Sequence, residues 1–525
     1  MLDSTKENKS IFKEFGFKLV IENLIEEITS IYLSDQIPWV VGYSGGKDST
    51  AVLQLIWMAL SRLDKDRLIK PVHVISTDTL VENPIVAAWV NRSLTQIKIK
   101  AEQDDLPIHA HRLIPDVADT FWVNLIGKGY PAPKTKFRWC TERLKIKPSN
   151  EFIKRVVREN GEAIVVLGTR KAESANRARS MEKLAQKQVR EKLNVRPNLI
   201  NSLVYSPIED WSNDDVWMFL MQIPNAWGFS NKELLTMYKG ASADGECPLV
   251  VDSTTPSCGD SRFGCWVCTV VDKDKSMLAM VQNDDEKEWM RPLMDLRDEL
   301  DPRNELTGKR DDRHLRDFRR MDGSVKLHND NNIPGPYTQD SRADWLRKIL
   351  TVQQLVRENG PFNDIELITM PELQEIRRIW VVDKHEIEDK LPQIYQEATG
   401  EKFPDWSMDD NLALGAEEMQ LLEEVCDEDR ILYELTRELI DVERRFKTLT
   451  KRGGLYPAME KAFRRNFYDS REDATNRALG RREVKEAIEM ERHGSVERYG
   501  SVDATSQKRR SIDEFLGNIN GEDEA

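Results

Sequence analysis

Residues Trp39–Leu60, WVVGYSGGKDSTAVLQLIWMAL, begin as an apolar strand, pass through Ser44-Gly45-Gly46-Lys47-Asp48-Ser49 and resume as an amphipathic helix. Two glycines and a hydroxyl residue leave backbone N–H groups uncovered, and the helix that follows turns its positive dipole end back towards them. Such a loop is a seat for an anion, most often phosphate. The common GxxxxGK loop ending in Ser or Thr does not fit, because Asp48 follows Lys47 and Val41 stands where that motif needs glycine. A different phosphate loop is expected, with a bare glycine turn as the plain alternative.

Working outward, strand-like apolar runs recur at WVVGYS, PVHVISTD, IHAHRL, AIVVLGTR and LVYSPI, separated by segments of helical spacing such as AAWVNRSLTQIKIKAEQ. A helix over FKLVIENLIEEITSIYL precedes them. This alternation predicts an α/β fold with a Rossmann-like, doubly wound parallel sheet. In such sheets ligands sit at the carboxyl ends of strands. Asp78 ends one of these strands, with Thr77, Thr79 and Glu82 beside it. It would orient a ribose or adenine or help hold magnesium, or else cap the helix over NPIVAAWV. Arg170, Arg177 and Arg179 follow another strand and suit a phosphorylated ligand, unless they form a solvated helix face. Ser212, with Asp214 and Asp215 in the turn after it, reads as a structural helix cap.

The chain of 525 residues has room for two to three domains. No apolar run reaches the length of a membrane span and MLDSTKENKS has no signal-peptide core, so a cytoplasmic protein is expected. A net charge of −14 argues against a general nucleic-acid coat. Six cysteines are too few for a disulfide scaffold. Four of them, Cys247, Cys258, Cys265 and Cys268, lie in one Gly- and Pro-punctuated stretch with ten, six and two residues between them. Thiolates so spaced suit either a tetrahedral zinc or a 4Fe-4S cluster. Cys426, in the acidic segment LLEEVCDEDR, is expected to be inert.

From about residue 285 the chain becomes charged and helical, through KEWMRPLMDLRDEL, SRADWLRKILTVQQLV, PELQEIRRIWVVDKHEIEDKL and AEEMQLLEEVCDEDRILYELTRELIDVERRF. Arg310, Arg313, Arg316, Arg319 and Arg320, around Phe318, are either a phosphate-contacting patch or a salt-bridged loop with Asp311, Asp312 and Asp317. RRFKTLTKRGGLYPAMEKAFRRNFY is a second basic and aromatic candidate. The expected organisation is a helical segment over 1–30, a nucleotide domain over 31–240, a cysteine loop over 241–285, a helical domain over 286–490 and a polar, disordered tail over 491–525.

SGGKDS, STDT, RWCTERLKIKP, LGTRKAES and PIEDWSNDDVW occur in the order seen in the PAPS reductase family of ATP pyrophosphatases, whose wider group includes tRNA thiolases and GMP synthetase. The resemblance spans residues 30 to 280. It implies the PP-loop fold of the adenine nucleotide alpha hydrolases, with ATP split between its α and β phosphates. Lys47 and the N–H groups of Gly45 and Gly46 would then neutralise pyrophosphate, Ser44 and Ser49 would donate hydrogen bonds, Asp48 would position Mg2+, and Asp78 and Arg170 would bind the nucleotide. Reductases of this family that carry a cluster place a cysteine where Cys140 stands. The ligand set implied is Cys140, Cys258, Cys265 and Cys268, with Cys247 as the alternative ligand or, if spare, the persulfide carrier.

The chain as a whole, through SGGKDS, SCGDSRFGCWVCTVV, DFRRMDG and PGPYT, resembles the DndC family, the ATP pyrophosphatase and iron-sulfur components of bacterial DNA phosphorothioation. That resemblance implies a sulfurtransferase acting on the DNA backbone, supplied by a cysteine desulfurase and working beside other proteins of the same complex. DNA binding by the chain alone should be weak. The competing expectations are a PAPS or APS reductase, disfavoured because DEFLGNINGEDEA lacks a cysteine, a tRNA thiolase, disfavoured by the long extension, and a non-catalytic scaffold, disfavoured by the intact SGGKDS.

Overall fold

The computed structural model describes residues 10–185, 188–190, 192–195, 199–241, 263–304, 306–329, 331–404, 415–427, 429–447 and 449–498. Helices α1 (Ile11–Phe15) and α2 (Phe17–Leu33) lead into an alternating series: β1 (Trp39–Gly42), α3 (Lys47–Ser61), β2 (Val72–Thr77), α4 (Pro84–Gln103), β3 (Ile108–Leu113), α5 (Lys147–Asn160) and β4 (Ala163–Val166). There follow α6 (Ala175–Ala185), β5 (Gln188–Arg190), β6 (Leu193–Val195), β7 (Ser202–Tyr205), α7 (Asn213–Gln222) and α8 (Asn231–Gly240). The sheet order is β3-β2-β1-β4-β7-β6-β5. The first five strands run parallel, whereas β6 and β5 are antiparallel additions at one edge.

All five strands expected from the sequence are present. The β5–β6 pair was not expected, because QVR and LNV are too short and too polar to carry a strand signal. Trp39, Val40 and Val41 are buried on both sides, as a central parallel strand requires. One face of the sheet packs under α3, with Val41, Val74, Ile164 and Val166 in the larger core, while Val40, Ile75 and Val165 face α5 through Phe152 and Val156. The expected amphipathic character of α3 is corrected by the structure. Ala51, Val52, Leu53, Leu55, Ile56, Ala59 and Leu60 are all fully buried, because α2 and α7 cover the side turned away from the sheet.

The N-terminal segment is fixed by charge and caps as well as by apolar contact. Ser212 and Asp215 form a capping box on α7, and the buried Asp215 carboxylate also accepts the Ser10 hydroxyl and the N–H groups of Ile11 and Phe12. The structural role expected for this segment is what the geometry shows.

Two compact units are present, Met1–Arg316 with Pro336–Gln420, and Asp317–Gly335 with Leu421–Ala525. The helical region therefore does not form one block. Helices α9 (Lys275–Asn283), α10 (Arg291–Glu299), α11 (Gln339–Asn359), α12 (Met370–Arg378) and α13 (Leu391–Thr399) belong to the first unit. They share a core with Val81, Trp122, Leu144 and Trp266, beside the nucleotide domain. Within the second unit, α14 (Ala416–Val425), α15 (Arg430–Lys447), α16 (Leu455–Asn466) and α17 (Arg471–Arg498) follow, α14 straddling the boundary. The long helical run expected over AEEMQLLEEVCDEDRILYELT is broken after Val425, where Asp427 takes a positive φ of 48°. No helix among the described residues is long and apolar enough to cross a membrane.

Strands β2 and β3 carry a histidine group on the face under α5. The Nδ1 of His73 lies 3.1 Å from Nε2 of His111, and both rings pack on Phe152. Burial, reinforced by the charges of His111, His109 and Arg155, lowers the pKa of His73 from 6.5 to about 4. The unfolded chain takes up this proton below about pH 6.5 while the folded ring stays neutral to about pH 4, so its contribution is whole above 6.5 and lost as pH falls through that window. The half-buried ring keeps part of its hydration, which trims the loss to about 2 kcal/mol. Denaturant unfolding at the two ends of this window should show the drop, and His73→Gln should flatten it. An equally steep drop in that variant would remove His73 as its cause.

Candidate functional site

The strand order reverses between β1 and β4, since β2 and β3 lie to one side of β1 and β4 and β7 to the other. At such a switch point the loops leaving the two strands diverge and open a crevice. The loop after β1 is the SGGKDS segment and the loop after β4 carries Gly168-Thr169-Arg170.

Gly45 has a φ of 71°, and a Cβ there would lie 2.6 Å from Val90 Cγ2. Glycine is required on both counts. Its carbonyl accepts the Trp89 indole N–H at 3.1 Å, which ties the loop to α4. Gly46 caps α3 without a side chain. Ser44 and Ser49 lie with their Oγ atoms 3.2 Å apart, and the Ser49 hydroxyl is 3.2 Å from the Ser44 N–H. The Lys47 N–H donates to the Tyr238 hydroxyl at 3.3 Å, while Lys47 Nζ stands 5.3 Å from the centre of the Tyr238 ring. Burial and the neighbouring Asp48 charge raise the Tyr238 pKa well above the usual phenol range, so the group stays protonated. The loop thus gathers two hydroxyls and a lysine at the start of α3, while the N–H groups of Ser44, Gly46 and Lys47 donate to the oxygens of Ser49, Ser44 and Tyr238.

Asp48 is held between two cations. Its Oδ1 accepts the Arg170 Nε–H at 2.7 Å and its Oδ2 lies 3.3 Å from Lys47 Nζ. Arg170, only 4% exposed, is held further by the Trp211 carbonyl, and its own N–H donates to Glu173. The Arg170–Asp48 pair joins the two loops across the switch point. Arg177 and Arg179 do not join them. Arg177 pairs with Glu173 at the surface, and Arg179 is exposed.

Asp78 stands at the end of β2, where Ser76, Thr77, Glu82, Val90, Asn91 and Arg112 line a crevice with it. Its Oδ1 accepts the Leu80 N–H at 2.8 Å and its Oδ2 accepts Arg112 Nε–H at 3.0 Å. The cap of α4 is Asn83, which accepts the Ile85 N–H, and not Asp78.

A second group of residues lies beside this crevice. Gly264 and Trp266 pair their backbones with Asn83 and Val81, so the CxxC segment docks on the chain just after β2. Cys265 Sγ is 3.4 Å from the Thr79 hydroxyl. Burial pushes the Cys265 thiol up to about 11, against the pull of Lys145 and Thr79. Burial also raises Cys140, which feels the charge of Cys268. Lys145 is held above its usual range first by Cys265, then by Glu82, Cys140 and Cys268. Cys140, Cys265 and Cys268 thus all act on Lys145, which places the three thiols in one neighbourhood. A π-helical turn over Thr141–Ile146 sets Cys140 and Lys145 at its two ends. Cys247 and Cys258 lie outside the described residues.

The donor chemistry, thiols around a single cation, fits an iron-sulfur centre. Among the described residues no three His, Cys, Asp or Glu groups close on one point that would hold a metal ion, so the three thiols are gathered without forming a complete ligand set. Cys426 is buried elsewhere, its pKa raised by burial and by Asp429, in keeping with the inert role expected.

Three of the five arginines, Arg310, Arg316 and Arg319, take the salt-bridged alternative, whereas Arg313 is exposed and Arg320 donates to the Pro334 carbonyl. In the first unit Arg310 and Arg316 pair with the buried Asp312. In the second unit Arg319 is buried against Asp317 and Glu434. Their charge is neutralised where they stand, which leaves them a folding role.

Three residues of the site gave little sign in the sequence. Gly168 is one: a Cβ there would lie 2.9 Å from the carbonyl carbon and oxygen of Asp48. Its position after a strand in LGTR was the available signal. Tyr238 and Trp89 had none, being aromatic residues on helices that read as ordinary core.

Residues 38–223 match the family model described as the phosphoadenosine phosphosulfate reductase domain. The chain thus carries a PAPS reductase-like domain on a PP-loop type of fold, followed by a helical region. Two uncharacterized proteins of Methanocaldococcus jannaschii are similar to it. MJ0066 is 30% identical over 202 residues, 38% of this chain and 35% of that protein. MJ0973 is 29% identical over 178 residues, 34% of each. The match spans about a third of the length of these curated relatives. Among solved structures, a phosphoadenylyl-sulfate reductase from Candida auris in a phosphate complex aligns over 42% of this chain and 91% of its own, at 15% identity and a TM-score of 0.25. The U34-tRNA thiolase NcsA from Methanococcus maripaludis, with its 4Fe-4S cluster, aligns over 56% and 84%, at 14% identity and a TM-score of 0.27.

Proposed function

We propose that this protein is an ATP pyrophosphatase and sulfurtransferase that activates a DNA backbone phosphate by adenylation and exchanges one of its non-bridging oxygens for sulfur. The observation that carries the reading is the joining of the SGGKDS loop to the Gly168–Arg170 loop at the switch point, with Cys265 beside Thr79 and Glu82 at the end of the neighbouring strand β2.

A phosphodiester oxygen is a poor leaving group. When it attacks the α phosphorus of ATP, the bond to the β phosphate breaks and pyrophosphate departs. Lys47, at the start of α3, would face the charge that develops on that leaving group, and the Ser44 and Ser49 hydroxyls stand beside it; the Gly46 N–H, which donates to the Ser44 Oγ at 3.4 Å, would turn to the same oxygens when that bond is exchanged. Magnesium supplies further neutralisation on the phosphates themselves. Asp48 fixes Lys47 and Arg170 in place, and Asp78 and Arg112 line the side of the crevice where the nucleoside belongs. The adenylated phosphate then yields AMP when a sulfur nucleophile forms the new phosphorus–sulfur bond. Sulfur comes as a persulfide from a cysteine desulfurase, and a second thiol must take up the carrier sulfur as a disulfide to leave the product reduced. Cys247 remains the proposed carrier. An iron-sulfur centre held by Cys140, Cys265 and Cys268 with Cys258 would supply thiolate-bound sulfide chemistry.

The test uses ATP labelled at the α phosphate together with radiolabelled cysteine, a desulfurase, and either DNA or tRNA as acceptor. The expected result is AMP and not ADP, with label in DNA. Release of ADP overturns the pyrophosphatase reading, and label confined to tRNA replaces the acceptor.

A further inference from the structure

We propose that the hairpin over residues 133–138 is the element that grips the nucleic-acid strand at the sulfur-transfer site, by two phosphate contacts and a stacked base. The proposal rests on the reading of that site as one acting on DNA.

The hairpin is a fixed stem with a bare tip. Lys134 and Phe137 exchange both backbone hydrogen bonds, at 3.2 and 2.8 Å, around a two-residue turn. The stem is held from several directions. The Tyr337 hydroxyl accepts the Ala132 N–H at 3.2 Å, and the Pro133 carbonyl accepts the Thr269 hydroxyl at 2.7 Å and Arg310 at 3.2 Å. Lys134 reaches the buried Asp312, and the Trp139 indole N–H donates to the Pro131 carbonyl. Beyond this anchorage Lys136, Phe137 and Arg138 are exposed, Phe137 by 45%.

Three features separate this tip from ordinary surface. In a chain of net charge −14, Lys136 and Arg138 form no ion pair among the described residues. A large apolar ring stands out between two cations instead of folding back onto the core. The tip is also tied to the thiol neighbourhood at both of its strands, since Cys140 follows it directly and Thr269, which bonds Pro133, follows Cys268. A rigid cation-aromatic-cation tip complements a chain of phosphates and flat bases, and an acidic protein surface would make no use of the ring. Because the stem is already ordered, little entropy is lost when it binds.

The experiment uses the full chain at low salt with a short DNA carrying 5-iododeoxyuridine. Irradiation should crosslink the DNA to a peptide containing Phe137. Fluorescence anisotropy with the same DNA should show that Lys136→Glu with Arg138→Glu binds at least about tenfold more weakly, with a salt slope reduced by about 1.8, two contacts at about 0.9 each. Phe137→Ala should remove the crosslink without changing the slope. Affinity for magnesium-ATP should be unchanged in both variants, since none of these residues touches the SGGKDS loop. Wild-type affinity for DNA in the double variant overturns the hairpin proposal and leaves the adenylation site standing. Failure of the wild type to bind any DNA while still splitting ATP overturns both the hairpin and the DNA acceptor. Preference for RNA through the same peptide overturns the choice of DNA alone.

Discussion

Lys47→Ala is expected to split ATP about 10²–10³-fold more slowly, the loss typical when one preorganised donor is removed from a developing charge. The protein should remain folded. The Lys47 side chain is 16% exposed, and its contacts are the Asp48 carboxylate and the Tyr238 ring, while the cap of α3 is made by backbone. A partly exposed pair of this kind contributes about 0–1 kcal/mol. The measurement is AMP and pyrophosphate release from labelled ATP, alongside the unfolding midpoint. An unchanged rate would take Lys47 out of the chemistry. A collapsed midpoint would mean that the lysine holds the loop, which the few contacts it makes do not support.

The second large effect is expected at Gly168, for a reason of shape. An alanine there sets its Cβ 2.9 Å from both the carbonyl carbon and the carbonyl oxygen of Asp48. Backbone cannot swing aside as a side chain can, so the first turn of α3 or the loop after β4 must move. Such overpacking costs about 1–3 kcal/mol. The movement also displaces the Lys47 and Ser49 donors, and misplacement on the order of 1 Å at a reacting centre lowers rates by about 10²-fold. Gly168→Ala should therefore lose activity beyond what its modest loss of stability explains. Kinetics and denaturant unfolding on the same preparation separate the two, and an active variant with wild-type stability would show that the two loops are not in the contact described.

How far the site was legible depended on whether its signal was local. SGGKDS could be read because phosphate binding at a helix start needs glycines, hydroxyls and a cation within one turn, and these are neighbours in the chain. Cys140 was found only through resemblance, since nothing between residues 140 and 265 marks the two as partners. For Asp48 local reasoning could not supply the partner: Arg170 lies in the loop after another strand, 122 residues away. The arginines at 310, 316 and 319 could be read either as an open patch or as a salt-bridged loop, because Asp312 and Asp317 stand among them but Glu434 follows much later in the sequence.

The sequence by itself determined the alternation of strands and helices, the glycine loop between β1 and α3 and the cysteine-rich stretch, because periodicity, glycine placement and thiol spacing are short-range properties. The tertiary structure alone decided that Arg170 answers Asp48, that Gly168 has no room for a side chain, that α3 is buried all round, and that helices α9 to α13 share a core with Val81, Trp122 and Trp266. Each of these is a matter of which surfaces meet across the sheet, and packing between distant segments leaves no periodic trace in either of them.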